Sequence, residues 1–293
     1  MRRSRTARAT LVALAALWLA EPRALTAQAT GSPAPGPTPR PRGAGIAIGK
    51  LAWLDREIER AELPAKASWQ RLREGDALRT GDSFRTSADA TARFEFPWMA
   101  VTLGGGTLLT IPASSVLSTV LEQGRAEFEG PGREMVKIRF GDGEVRGGGR
   151  LVLRRSVGRT TATALEGRFR VRAAGRSVEL EAGQGTVVVD GRPPEAPSPL
   201  PTAPGDVEPG KDALFVRSGH AAELRWAARS AAHRVFVLAL DKDQVLLARD
   251  VGAPPLQVEL PWLGTYRWRV AARDARGVES RPSPEGLICS VDR

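Results

Sequence analysis

The sequence predicts an all-β protein in two folded units. Three observations carry that prediction. Apolar and polar residues alternate with a period of two through the middle of the chain, glycine clusters interrupt the alternation at short intervals, and a Pro-rich stretch divides the last third from the rest. With 293 residues, 42% hydrophobic and 26% charged side chains, the composition is globular and leaves room for about two domains.

The N-terminus has the pattern of a secretory signal. Arg2, Arg3, Arg5 and Arg8 form a basic start, and Ala9 to Ala20 is an apolar run broken only by Thr10. Ala27-Gln28-Ala29 supplies the small-x-small cleavage site, so residues 1–29 read as a signal peptide cut between Ala29 and Thr30. The run falls short of the roughly 20 residues of a membrane helix. An uncleaved inner-membrane anchor is the alternative. No cysteine lies near the cut, which argues against a lipoprotein anchor, and Arg2-Arg3 lacks the rest of a twin-arginine signal. No later apolar segment approaches spanning length, so a periplasmic or secreted chain is expected. Residues 30–45, which include TGSPAPGPTPRPRG, read as an extended tether.

Residues 46–192 carry the alternation. It is plain in Arg93-Phe94-Glu95-Phe96, in Ala126-Glu127-Phe128-Glu129 and in Val136-Lys137-Ile138-Arg139-Phe140. Breaks are expected at Gly104–Gly106, Gly130–Gly132, Gly141–Gly143 and Gly147–Gly149. Leu54 to Leu63 fits a helix stopped by Pro64, or equally a strand and loop. One hairpin can be drawn to the residue. A two-residue turn at Ala174-Gly175 pairs Arg170 with Glu179, Arg168 with Glu181, Val171 with Val178 and Phe169 with Leu180. That register puts the apolar side chains on one face and opposite charges across from each other on the other. Pro193 to Gly205 (PPEAPSPLPTAPG) reads as a semi-rigid polyproline spacer, and residues 206–293 as a second β unit.

The formal charge of +10 is no sign of a nucleic-acid partner, because residues 1–29 alone carry five Arg against one Glu. The remaining charge is near balance, with 23 basic and 19 acidic side chains over residues 46–194 and 13 and 12 over 205–293. The densest basic stretch, Arg146 to Arg176, has nine Arg and one acid, Glu166. Glu179 and Glu181 of the hairpin answer two of these arginines. Arg146, Arg150, Arg154, Arg155 and Arg159 have no partner legible in the sequence, and they form the candidate anion-binding surface for phosphorylated polymers or lipids of the envelope.

The other chemistry-bearing residues read as structural. Asp76 and Asp82 each follow a glycine and fit turns better than a metal loop. One Cys and two His, with His220 and His233 thirteen residues apart, do not assemble a metal site, and no cofactor is expected. Gly104–Gly106 is a turn and not a phosphate loop, since no Lys-Ser/Thr follows. Cys289 reads as a buried small hydrophobe and Trp98 as core. Glu95, Glu127 and Glu129 are the available carboxylates for an enzyme, but alternation places them on exposed strand faces. No catalytic residue is expected.

Two stretches resemble known families. Leu72 to Phe96, with Gly75-Asp76, Gly81-Asp82 and Arg85-Thr86 ahead of an alternating strand, resembles the opening of a FecR domain. Gly167 to Val171 and Leu180 to Val189 match its later strands, so the resemblance covers residues 46–192. It implies a FecR-like β-roll or sandwich. In iron-uptake signalling members such a domain lies beyond a membrane span that leads to a cytoplasmic anti-sigma segment. Here a signal-peptide pattern stands in place of that segment. Residues 206–293 resemble an immunoglobulin-like sandwich of the fibronectin type III kind. Ala222 to Trp226 gives an early strand with its core Trp, and Leu263 to Val270 carries the single Tyr, Tyr266, whose hydroxyl is expected to bond nearby backbone. Together the resemblances imply a secreted or periplasmic, non-enzymatic binding or scaffold protein whose partner is an envelope protein or polysaccharide. The alternative is an N-terminally anchored FecR-type regulator that relays an envelope state to the cytoplasm.

Overall fold

A computed structural model describes residues 45–293 apart from 63–67, 116, 132–135, 229, 243 and 293. The signal peptide, nearly all of the tether and Gly132 lie outside the described residues. Regular structure among the described residues is almost entirely strand, as expected. The first half runs β1 (Ala47–Asp55), β2 (Ile58–Glu62), β3 (Gln70–Arg71), β4 (Ala77–Arg79), β5 (Asp82–Thr86), β6 (Thr91–Phe96), β7 (Met99–Leu103), β8 (Leu108–Thr110), β9 (Ser118–Glu129), β10 (Val136–Phe140), β11 (Gly143–Ser156), β12 (Arg159–Ala173), β13 (Arg176–Glu181), β14 (Gln184–Val189) and β15 (Ser198–Pro199). The second half has β16 (Leu214–Arg217), β17 (Ala221–Leu224), β18 (Ala232–Ala239), β19 (Gln244–Val251), β20 (Leu256–Glu259), β21 (Gly264–Arg273) and β22 (Gly286–Val291), with one 3₁₀ turn at Leu240–Lys242. Of the stretch Leu54 to Leu63, Leu54–Asp55 belong to β1 and Ile58–Glu62 to β2, and Leu63 lies outside the described residues.

The first half is one continuous hydrogen-bonded sheet that folds over itself, ordered β15-β14-β12-β11-β10-β9-β7-β6-β1-β4 with the short strands branching from it. Its core takes every second residue: Phe94 and Phe96 from β6, Val101 and Leu103 from β7, Ala126 and Phe128 from β9, Leu151 and Leu153 from β11. The hairpin forms in the register the sequence specifies, with Phe169 opposite Leu180 and Val171 opposite Val178. Arg168 meets Glu181 at 3.0 Å and Arg170 meets Glu179 on the wet face. Ala174 and Gly175 both have positive φ (45° and 77°), as a type I′ turn demands.

The expectations for two segments change. Gly147–Gly149 is no break, because β11 runs straight through it, pairing Gly147 with Phe169 and Gly149 with Gly167 of β12. The backbones approach so closely there that a Cβ on Gly149 or Gly167 would overlap the facing carbonyl, so the glycines permit the crossing and do not end the strand. The Pro-rich stretch 193–205 is no free spacer either. Glu195 N donates to Val187 O at 2.9 Å, Leu200 N to Gly183 O at 3.0 Å, and Ser198–Pro199 extends β14 as an edge strand. Proline is tolerated at an edge, where no ladder N–H is required of it.

The second half is a sandwich. A five-stranded sheet, β16-β22-β21-β18-β19, and a two-stranded one, β17-β20, share a core of Leu224, Trp226, Val235, Val237, Val258, Trp268, Val270 and Ile288. The Tyr266 hydroxyl donates to Trp262 O at 2.7 Å and accepts from Trp262 N at 3.1 Å, closing the corner the sequence anticipates. Cys289 is half-buried, not fully buried, because it sits one residue off the core-facing Ile288. The two cores are separate, yet Gly43–Arg293 forms a single compact unit.

Phe169 is 2% exposed in the first core. Phe169→Ala is expected to cost about 3–5 kcal/mol in urea unfolding, and a loss under about 1 kcal/mol would show that the hairpin is not part of the cooperative core.

Candidate functional site: an arginine-rich seam

Alternation on β9 sends Ala126 and Phe128 into the first core and Arg125, Glu127 and Glu129 out of it. β11 lies alongside, with Arg154 opposite Arg125, Val152 opposite Glu127 and Arg150 opposite Glu129. The same rule on β18 sends Val235 and Val237 into the second core and Arg234 and Phe236 out, flanked by Asp250 and Ala248 of β19 and by Ala271 and Arg269 of β21. These two outward faces cover each other. The turn that closes β21 adds Val278 and Glu279, both buried, with Thr161 Oγ1 donating to Gly277 O at 3.3 Å.

The seam is held by charge. Arg125 is 4% exposed and donates through Nε and Nη2 to the carboxylate of Glu279, also about 4% exposed, at 2.9–3.1 Å. Its Nη2 also reaches Glu127 at 3.1 Å, and Glu127 takes a second bond from Arg150 Nε at 2.6 Å. Asp250 accepts from three arginines: Arg154, Arg234 at 3.0 Å and Arg273 at 2.7 Å. The guanidiniums of Arg125, Arg234 and Arg269 lie 5.3–5.5 Å from the centre of the Phe236 ring. Gly104 fits this crowding, since a Cβ there would sit 2.7 Å from Arg234 Nη2.

Burial and pairing compete at each group. Burial alone would raise Glu127, but Arg125 and Arg150 outweigh it and hold the carboxyl at about 2. Asp250 is likewise held well below the usual carboxylate range, with Arg234, Arg154 and Arg273 overcoming burial. Arg125 is pushed above its usual value because Glu279 and Glu127 outweigh burial. Arg234 goes the other way, down to about 10, through burial and repulsion by Arg125 that Glu279 and Asp250 only partly offset. It stays protonated near neutral pH as an under-compensated buried cation.

The five sequence-predicted arginines do not form one surface. Arg154 and Arg155 line a cleft of about 460 Å³ at the seam, together with Arg125, Arg234, Arg249 and Asp250. Arg150 is spent on Glu127 behind it. Arg159 lies in a separate groove with Arg154, Arg273 and Arg276. Arg146 is exposed at the far end of β11, paired with Glu144 at 3.0 Å. Four of the five therefore have acid partners, with Arg155 forked onto Asp190 at 2.8–2.9 Å. Glu144 is two residues from Arg146 on the same strand, whereas Glu127 and Asp190 come from elsewhere in the first half and Asp250 from the other half of the chain, pairings that no local pattern reveals.

Glu127 corrects the expectation of an exposed carboxylate: it is 5% exposed because the second half covers its face. Glu129 is partly exposed and paired with Arg93 at 3.0 Å, and Glu95 with Lys50 at 3.3 Å. The turn reading of the two aspartates holds, with Asp76 accepting from Arg73 N at 2.9 Å and Asp82 from Arg79 N at 2.8 Å. His233 is buried with Nδ1 2.7 Å from Gly252 O, while His220 is exposed. Among the described residues no group of His, Cys, Asp and Glu has the arrangement of a metal site. Trp98 is half-buried against the first core.

Glu279→Gln leaves Arg125 without its forked partner and is expected to cost about 3–5 kcal/mol by chemical denaturation. Replacing Arg125 and Glu279 together by Met is expected to cost far less, and equal losses would mean the pair acts through shape alone. The carboxyls of Glu127 and Asp250 bind protons less tightly folded than unfolded. Their contribution is therefore fully present above the ordinary carboxylate pKa of about 4 and is lost as pH falls toward about 2. Thermal melting across that window is expected to show a fall that is shallower in Glu127→Gln. A parallel profile would remove Glu127 from the acid transition.

No family model matches the chain, and neither does any curated protein. Two crystal structures of a candidate anti-sigma factor from Parabacteroides distasonis are similar to part of it, at 13% and 16% identity and a TM-score of 0.35 in both cases. The similarity covers 40% of this chain and 59% of those chains, less than two thirds of their length.

Proposed function

We propose that the chain is a secreted or periplasmic, non-enzymatic binding or scaffold protein of the cell envelope, with a FecR-like first half. The seam is the observation that carries this reading. It joins two β units into one body whose buried carboxylates are committed to guanidiniums, while cationic clefts stay open beside it. A carboxyl held at about 2, as Glu127 is, has no proton to give near neutral pH and so fits a structural role better than general acid catalysis. The signal-peptide pattern of residues 1–29 supports export. The two Gly-Asp turns support the FecR resemblance, since each carboxylate closes its turn on backbone N–H.

The second reading, an N-terminally anchored regulator, rests on the same turns and on the apolar run Ala9 to Ala20. Mass spectrometry of the purified N-terminus separates the two. A start at Thr30 supports the free protein, and a retained run supports the anchored one. Pull-down from envelope extracts with the mature chain is expected to recover a protein or glycan. Recovery no greater than a bait-free control would count against both binding readings, and hydrolysis of purified peptidoglycan would overturn the non-enzymatic one.

A further inference from the structure

We propose that the cleft between the two halves binds a phosphoryl group or a similar multiply charged oxyanion, gripped by Arg125, Arg154, Arg155, Arg234 and Arg249. The inference deepens the binding reading by giving one site a ligand class, and it rests on that reading in treating the cleft as a receptor.

The charge in the cleft does not close on itself. Its wall carries five guanidiniums and two carboxylates, Asp89 and Asp250; Arg125 and Arg155 are answered from behind the wall by Glu279, Glu127 and Asp190, which leaves Arg154, Arg234 and Arg249 around Asp250. Asp89 is engaged by Arg56 at 3.2 Å, and Asp250 already serves three arginines. Arg155 is engaged by Asp190 through Nη1 and Nη2, by Thr160 through Nη1 and by Glu122 O through Nε, so it lends the wall its charge more than free donors. Arg249 is exposed and has no ion pair among the described residues. Two guanidinium nitrogens, Nη1 of Arg125 and Nε of Arg234, are shielded from solvent and have no acceptor among the described residues, and their side chains line this cleft.

Uncompensated buried cations are costly, and an unmet charged donor costs more than a neutral one. A phosphoryl group answers the excess of charge. Its two negative charges offset the excess, and its three terminal oxygens accept in the planar geometry that guanidinium forks offer. A volume of about 460 Å³ admits that group with the first part of whatever carries it. Ser156 and Gln123, also on the wall, add neutral hydrogen-bonding groups at the rim. A cation is excluded by the same sum, and an apolar ligand would leave the guanidiniums unmet.

Isothermal titration of the full chain with inorganic phosphate and with pyrophosphate, at fixed ionic strength in chloride, tests the site. Saturable binding is expected, weakened about fivefold or more in Arg249→Gln and in Arg234→Gln, and unchanged in Arg168→Gln, which removes the same charge from the distant hairpin. Arg249 is exposed and makes no ion pair among the described residues, so Arg249→Gln carries the test if Arg234→Gln fails to fold. Co-sedimentation with phosphatidic acid vesicles separates the sources. Binding to vesicles that is lost in Arg249→Gln assigns the phosphoryl group to a lipid headgroup, whereas binding of the free ions alone assigns it to a soluble phosphate. No saturable binding to any of these probes, or binding equal in Arg249→Gln and the parent, overturns the site. In that event a partner recovered from envelope extracts would leave the scaffold reading standing. Release of phosphate from pyrophosphate would instead sink the non-enzymatic reading and keep the site.

Discussion

The contact on which this protein depends is the forked bond between Arg125 and Glu279, 154 residues apart in sequence and both about 4% exposed. Each charge is tolerable in the interior only because the other is there. The first half presents a strand face with Arg125, Glu127 and Glu129 where an isolated β-module would present them to water, and Glu279 arrives from the turn after β21 to close that face. Other contacts depend on the closure. Asp250 is drawn into contact with Arg154, Phe236 lies under three guanidiniums, and Val278 fills the space above Gly185. A buried pair of this kind adds little net stability over an apolar contact of the same shape, because desolvation consumes most of the Coulomb gain. Its effect is directional. Forked bonds accept one register of the two halves, whereas an apolar seam tolerates sliding.

Much of the fold was legible because strand patterning is local. The hairpin from Arg168 to Glu181 could be drawn to the residue, since a one-step slip would have buried four charges and exposed Phe169 and Leu180. The corner at Tyr266 was legible for a similar reason: a phenol at the edge of a core needs a polar partner, and the turn just before it is the nearest backbone. The glycines were harder. A run such as Gly147–Gly149 reads the same whether it turns the chain or lets two strands cross without Cβ atoms, and only the pairing of Gly149 with Gly167 distinguishes them. Proline misled in the same way, because a Pro-rich segment and an edge strand that donates few ladder bonds share one composition.

The seam was not legible, and the reason is physical. Period-two alternation tells which side chains share a face. It does not tell whether water or protein lies beyond that face. Alternation puts Glu127 on the outward side of β9, yet the second half covers that side and buries it. One local sign was the density of charge on adjacent strands. Arg125-Ala126-Glu127-Phe128-Glu129 alternates charge with core residues, and β11 adds Arg150 and Arg154 opposite, which is more charge than one solvated ladder requires. Arg234 gave a comparable sign, as the lone arginine of the otherwise largely apolar strand Ala232–Ala239.

The imbalance within the seam links architecture to function. A seam built only for docking would pair its charges one to one, because every unmatched guanidinium there lowers stability. Arg234, buried beside Arg125 and sharing Asp250 with two other arginines, departs from that rule. Asp250 itself is only partly buried, at 28% side-chain exposure, so the point where its three arginines converge opens toward solvent at the cleft. The excess positive charge is therefore gathered around Asp250, whose partly open carboxylate meets the cleft, and is nearly balanced around Glu127 and Glu279. Proteins carry local cost of this kind mostly at sites of function, where the missing charge is supplied by what binds. An oxyanion in that cleft would touch Arg125 and Arg154 from the first half and Arg234 and Arg249 from the second. Occupancy would then add to the closure that Arg125 and Glu279 begin.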